Sequence, residues 1–93
     1  MAYHAKYVKQ PVEVQDYPFD FTEYLQGIND VADTFTVSAA DGVTIESSSI
    51  SRGVVRAFVA GGTSGRSYKV SATLTTKGGR VKQLDILVKV KEI

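Results

Sequence analysis

Hydrophobic and polar positions alternate most regularly in the last third of the chain, between residues 67 and 90. The apolar positions of this stretch are Tyr68, Val70, Ala72, Leu74, Leu84, Ile86, Val88 and Val90. A period of two is typical of strands with one buried face. Gly78 and Gly79 separate the two runs, and glycine adopts the positive φ angles of a tight hairpin turn. The pattern predicts a long β-hairpin that needs a second layer to cover its inner face.

Shorter alternating runs occur in the preceding part of the chain. They predict strands over residues 11–15, 17–21, 34–38, 43–45 and 54–60. The serine run 47–49 is expected to be a polar connection, and residues 22–25 one helical turn capped by Thr22 and ended by Gly27. About seven short strands with frequent turns predict an all-β antiparallel sandwich, with a small barrel as the alternative.

A tyrosine near the start of the penultimate predicted strand indicates one particular type of sandwich. In immunoglobulin-like sandwiches such a tyrosine hydrogen-bonds back across a corner, and Tyr68 follows the turn-like sequence Gly65-Arg66-Ser67. Val70 stands where the antibody-type cysteine would be, and the chain has no tryptophan. We therefore predict an immunoglobulin-like shape without the antibody-type core.

Residues 1–10 lack clear periodicity and carry only a few apolar side chains. We expect them to form an extended N-terminal arm, ordered by a partner, with a frayed terminus as the alternative. Residues 11–93 are expected to form a single β-sandwich domain, since a chain of 93 residues is long enough for one core.

Composition narrows the classes of function. The net charge is +1 and there is no cysteine, so we expect no binding to nucleic acid or membrane, and no disulfide framework. The polar start of the chain lacks the apolar core of a signal peptide. The basic residues of the last hairpin are expected to protect strands from edge-to-edge association. Leu87 lies among outward charged residues and is a candidate contact residue.

Candidate chemistry is sparse. His4 is the only histidine, and it lies in the predicted arm without an orienting partner. The acidic residues of the first third do not match a calcium loop; they are Asp16, Asp20, Glu23, Asp30 and Asp33. The loop 61–65 lacks the Lys-Ser/Thr ending of a phosphate-binding loop. We predict no catalytic residues, no metal site and no cofactor.

The order of several short motifs resembles the small immunoglobulin-like virion proteins of tailed bacteriophages, of the head or tail accessory, decoration or fibre-adaptor type. The motifs are Lys9-Gln10-Pro11, Tyr17-Pro18-Phe19-Asp20-Phe21, Tyr24-Leu25, Thr34 to Val37, Gly42-Val43-Thr44-Ile45, the glycine-rich loop 61–65, Tyr68-Lys69-Val70 and Thr75 to Arg80. The sequence departs from the pattern at Phe21 and Phe35, where tryptophan is frequent. The resemblance implies a structural part of the virion, built in many copies and without catalysis.

Two functions follow from this reasoning. The first is an assembly module that binds other virion structural proteins, is made in the host bacterial cytoplasm and is incorporated into the virion at head, neck or tail. Its expected contact residues are Tyr3, Tyr7 and Lys9 in the arm and Leu87 on the last strand. The second is a module that binds a ligand or a host surface through loops such as 61–65.

Overall fold

A computed structural model of the chain describes residues 3–92, which form seven strands and one short helix. The elements are β1 (Ala5–Lys9), β2 (Gln15–Asp20), α1 (Thr22–Ile28), β3 (Ala32–Ala39), β4 (Val43–Ser51), β5 (Val54–Gly61), β6 (Ser67–Thr76) and β7 (Val81–Val90). The strands form a four-stranded sheet in the order β1-β7-β6-β3 and a three-stranded sheet in the order β2-β5-β4. Two separate sheets confirm the predicted all-β sandwich.

All neighbouring strands are antiparallel except β1 and β7, which are parallel. The core lies between the two sheets and consists of inward strand residues together with Phe21 and Leu25 at the helix. Its buried hydrophobic residues are Tyr17, Phe19, Phe21, Leu25, Val43, Val55, Ala57, Val59, Tyr68, Val70, Ala72, Leu74, Ile86, Val88 and Val90. Burial of each large side chain contributes roughly 1.5–3 kcal/mol to the free energy of unfolding.

The predicted β6–β7 hairpin is confirmed, with a longer turn than the glycine pair suggested. Four residues, 77–80, connect the strands. Gly79 has a φ of +88°, whereas Gly78 is required for space, because a Cβ there would lie 2.5 Å from Oδ2 of Asp30. Asp30 accepts hydrogen bonds from the backbone N–H of Gly78 and from Arg80, which ties the turn to the start of β3.

The first strand lies earlier in the chain than predicted. Residues 5–9 of the expected arm form β1 and pair with β7, and residues 10–14 connect β1 to β2. Residues 5–9 are thus part of the four-stranded sheet. The serine run 47–49 is also not a connection: it continues β4, an edge strand whose serine side chains are exposed.

The helix differs from the prediction at both ends. It spans seven residues, and Thr22 lies inside it rather than capping it. Oδ1 of Asp20 accepts hydrogen bonds from the backbone N–H and the hydroxyl of Thr22, so a carboxylate outside the helix supplies the acceptor. Gly27 lies within the helix, which ends at Asn29 in the left-handed conformation. Asparagine tolerates this conformation because its side chain is short and polar.

Candidate partner-binding surface at the first strand

A buried lysine fixes the connection between β1 and β2. The side chain of Lys9 points inward and the residue is 1% exposed. Its Nζ donates hydrogen bonds to the carbonyl oxygens of Gln10 at 2.8 Å, Pro11 at 3.5 Å and Gly61. Burial lowers the pKa of the Lys9 ammonium, while the nearby Glu13 carboxylate acts in the opposite direction. These bonds join the β1–β2 connection to the end of β5 in the other sheet.

Two tyrosine rings join the same strand to β2. The rings of Tyr7 and Tyr17 are stacked, with centroids 4.4 Å apart and an interplanar angle of 29°. Such pairs add roughly 0.5–1.5 kcal/mol beyond the area that they bury. The hydroxyl of Tyr17 is buried and has no hydrogen-bond partner among residues 3–92. Burial is the main cause that raises the pKa of Tyr17 to about 12, and the charge of Glu13 adds to it.

The β1–β2 connection is a turn closed by its own polar groups. The backbone N–H of Glu13 donates to the carbonyl of Gln10 at 3.1 Å, and the N–H of Gln10 donates to Oε1 of Glu13 at 2.7 Å. With Lys9 bonded to two carbonyls of the same segment, the path of the turn is set by several independent hydrogen bonds.

Three valines project from this fixed segment into solvent. The exposed fractions are 59% for Val8, 87% for Val12 and 51% for Val14. Single exposed apolar residues are normal on a protein surface, whereas several together indicate a contact site. Here the three lie within one short stretch whose backbone is already ordered. We call this stretch, residues 8–14, the valine turn.

The glycine-rich loop 61–65 is occupied by internal contacts. The hydroxyl of Tyr68 accepts a hydrogen bond of 2.8 Å from the backbone N–H of Thr63, which confirms the predicted tyrosine corner. Gly62 has a φ of +102°, and a Cβ there would lie 2.5 Å from a methyl carbon of Val90. Together with the bond from Lys9 to Gly61, these contacts hold the loop against β1, β6 and β7.

A family comparison identifies the class of protein. Residues 9–89 match the family model Gp77, described as podophage GP4 fiber-tail adaptor protein gp77. The chain belongs to this family. No curated protein matches the chain individually. Membership in the Gp77 family makes the chain a structural protein of the phage tail and a component of the virion, which binds other virion proteins. The valine turn lies almost wholly within the matched region.

The predicted contact residues occupy different environments in this Gp77 family member. Tyr3 and Tyr7 are half-buried, and Tyr7 packs against the core. Leu87 faces outward and is half-buried, opposite Lys6 of β1 and Lys69 of β6. Lys9 has a buried side chain whose Nζ donates to carbonyl oxygens within the chain, and its role as a contact residue stays a prediction.

Sequence reasoning missed all three exposed valines. Val12 and Val14 alternate with Glu13 and Gln15, which is the pattern of a strand with an inward valine face. The signal that could have identified them is their position beside Pro11, which cannot donate a backbone hydrogen bond to a sheet.

The structure also places the other candidate residues of the sequence. His4 accepts a long hydrogen bond of 3.4 Å from the backbone N–H of Asp20. Within residues 3–92, no three histidine, aspartate or glutamate side chains are grouped so that they could hold a metal ion. Nor is any helix in this range long and apolar enough to cross a membrane.

A shallow groove lies at the other end of the sandwich. It has a volume of about 330 Å³ and is lined by residues of α1, the start of β3 and the β4–β5 turn. Val31 and Leu25 contribute apolar surface, and Arg52 and Asp30 lie at its polar parts. The carboxylate of Asp30 is already bonded to Arg80 at 2.9 Å, so it is not available as a free acceptor.

Proposed function

We propose that the chain is a non-enzymatic, immunoglobulin-like adaptor module, incorporated in several copies and attached to neighbouring virion proteins through the valine turn. The family match to fiber-tail adaptor proteins supports the adaptor role. The observation that carries the choice of surface is the exposure of Val8, Val12 and Val14 on a segment held by the buried Lys9.

The strand order supports the immunoglobulin-like part of the proposal. Immunoglobulin constant-type domains have strands B, E and D in one sheet and C, F and G in the other. The strands β2 to β7 occupy the places of B to G, in the orders β2-β5-β4 and β3-β6-β7. The hydrogen bond from Thr63 to Tyr68 is the corner bond expected at the start of strand F. The four-stranded sheet is completed by β1, parallel to β7.

A pre-ordered turn suits the role of an attachment point. Binding has to overcome the loss of conformational freedom, so an apolar contact on a fixed backbone retains more of its affinity than one on a mobile arm. The half-buried Tyr3, Tyr7 and Leu87 lie on or beside β1 and would extend the contact beyond the valines. In this arrangement Lys9 acts from within, by holding the turn in the shape that a partner recognises.

The test is incorporation into phage particles. In a phage whose own gene is inactivated, we expect the double variant Val12→Ser/Val14→Ser to be incorporated at least about tenfold less than the wild type, since it removes apolar surface that the contact would bury. The readout is the amount of the protein in purified particles. Val31→Ser is the matched control: Val31 is 57% exposed at the opposite end of the sandwich. Equal incorporation of the double variant and the control would refute attachment through the valine turn.

The groove at the opposite end favours a second candidate function, a module that binds a ligand or a host surface. Its volume of about 330 Å³ is at the lower limit of small-molecule sites. In this case Val31→Ser would leave incorporation intact and reduce adsorption of the particles to host cells, whereas the valine-turn variant would change neither incorporation nor adsorption. The same two variants therefore separate the two functions.

A further inference from the structure

The strand β3 has a free edge that the rest of the described chain leaves uncovered. It is the last strand of the four-stranded sheet and pairs only with β6 within residues 3–92. The backbone N–H of Ala40 donates to the carbonyl of Lys69, which fixes which residues bond to β6. Because these bonds alternate in antiparallel pairs, Phe35, Val37 and Ala39 direct their N–H and C=O groups away from the sheet.

This edge lacks the features that usually protect an edge strand. Natural edges carry lysine, proline or a bulge, which hinder pairing with another chain. The first strand has Lys6, the second has Pro18, and β4 is interrupted by a bulge between Ile45 and Ser47. In β3 the bulge lies between Ala32 and Thr34, so the following residues are regular, uncharged and free of proline and lysine.

The core-facing side chains of β3 are also incompletely covered. Phe35 and Val37 point toward the core and pack against it, yet both remain half-buried. Their outward neighbours Thr34, Thr36 and Ser38 are small and exposed. A further strand beside β3 would bond to the free backbone groups and cover the exposed parts of Phe35 and Val37 at the same time.

We propose that the β3 edges of two copies of this chain pair antiparallel about a two-fold axis, with Thr36 of one copy opposite Thr36 of the other. In this register Phe35 faces Val37 of the second copy, so inward residues meet inward residues and free backbone groups meet free backbone groups. The paired residues from Thr34 to Ser38 carry no charge, so no like charges are opposed.

The neighbouring two-fold register fits less well. Centred on Val37, it would pair Phe35 with Ala39 and lose both of the aromatic–β-branched pairs between Phe35 and Val37. Registers displaced by a single residue would set the inward face of one copy against the outward face of the other. The uncharged, self-complementary sequence of β3 is the reason to choose a second copy as the occupant.

This contact is independent of the proposed adaptor function, since it concerns the isolated chain and a different side of the sandwich. It involves one short strand from each copy and buries less surface than a stable interface of standard size. The dimer is therefore weak in solution and becomes significant at high local concentration, as in an assembly that holds several copies side by side.

The test uses the position that faces itself across the two-fold axis. Thr36→Lys alone and Thr36→Glu alone should each weaken association roughly fivefold, because like charges then lie opposite each other. An equimolar mixture of the two variants should restore association through mixed pairs. The mass is measured by sedimentation equilibrium up to about 1 mM, so that a weak dimer is still populated.

Ser38 provides the matched control, since it is exposed on the same face of β3 but lies opposite Thr34 in the proposed register. Mixing Ser38→Lys with Ser38→Glu should give no gain of the kind seen at position 36. A wild type that stays monomeric over the whole concentration range would overturn the proposal and leave the edge to an extended segment of another protein. A dimer that responds alike to the Thr36 and Ser38 pairs would overturn it as well.

Discussion

The two sides of the sandwich are closed in different ways. On one side, the short parallel strand β1 is joined to the other sheet by side chains, through the Tyr7–Tyr17 stack and the bond from Lys9 to Gly61. On the other side, β3 is held by its antiparallel pairing with β6, and no side-chain hydrogen bond joins it to β4 within residues 3–92. Both are edge strands paired to the sheet through the backbone, and the first strand has side-chain contacts with the other sheet in addition.

The largest loss of folding stability is expected from removing the side chain of Lys9, which joins the β1–β2 connection to the other sheet. Lys9→Ala removes a buried stem and leaves the carbonyls of Gln10, Pro11 and Gly61 without their donor. We expect the free energy of unfolding to fall by about 2–4 kcal/mol, from the cavity and the unsatisfied acceptors together. Urea denaturation at neutral pH measures it.

The control for this substitution is Lys6→Ala on the same strand. Lys6 is exposed and points outward, so its loss should change the free energy of unfolding by no more than about 0.5 kcal/mol. Similar losses for the two variants would show that the buried ammonium does not hold the first strand.

Two buried tyrosines sharpen the comparison, because one hydroxyl has a partner and the other has none. Tyr68→Phe removes the acceptor of the Thr63 N–H and should destabilise the fold. Tyr17→Phe keeps the stacked ring and removes a buried hydroxyl without a partner, so it should be neutral or stabilising. Thermal unfolding of both variants at pH 7 tests the order, and a greater loss for Tyr17→Phe would contradict it.

The same pair predicts the response to alkaline pH. The pKa of Tyr17 rises from 10.0 to about 12 on folding, so the folded chain favours the neutral phenol. The resulting stability is fully present below pH 10.0 and is lost as the pH increases toward 12. In unfolding experiments over this range, Tyr17→Phe should lose less stability than the wild type. Parallel curves for the two proteins would show that Tyr17 does not titrate in this way.

The sequence predicts best those features that depend on neighbouring residues. The alternation from Tyr68 onward was sufficient for the β6–β7 hairpin, and the position of Tyr68 before Val70 was sufficient for the corner bond. In the first strand, Lys9 occupies an inward position and so interrupts the apolar pattern. The strand also pairs with β7, which lies at the far end of the chain. Neither property is visible in a local window of sequence.

The candidate surface was predicted only in part for a related reason. Valine is among the most often buried residue types, so its spacing at Val12 and Val14 indicated a strand face rather than an exposed turn. The serines of β4 gave a different error, because consecutive exposed residues show no alternation although they lie in an edge strand. In both cases the tertiary position of the segment, and not its local pattern, decides exposure.

The smallest effect is expected at the free edge. Thr36→Lys and Ser38→Lys alter exposed side chains on the outer face of β3 and leave its backbone bonds to β6 intact. At low protein concentration each should change the free energy of unfolding by no more than about 0.5 kcal/mol, as is usual for surface positions. A urea titration at micromolar concentration measures this change for the monomer alone.

These measurements compare how much exposed and buried side chains of the two edge strands contribute to stability. If both lysine variants keep the stability of the wild type while Lys9→Ala loses it, the first strand depends on a side chain as well as on its backbone pairing, and β3 does not depend on these outer side chains. A large loss at Thr36 would mean that the outer face of β3 also contributes to the fold. The edge would then be part of the monomer's own stability rather than a surface left free for a second copy.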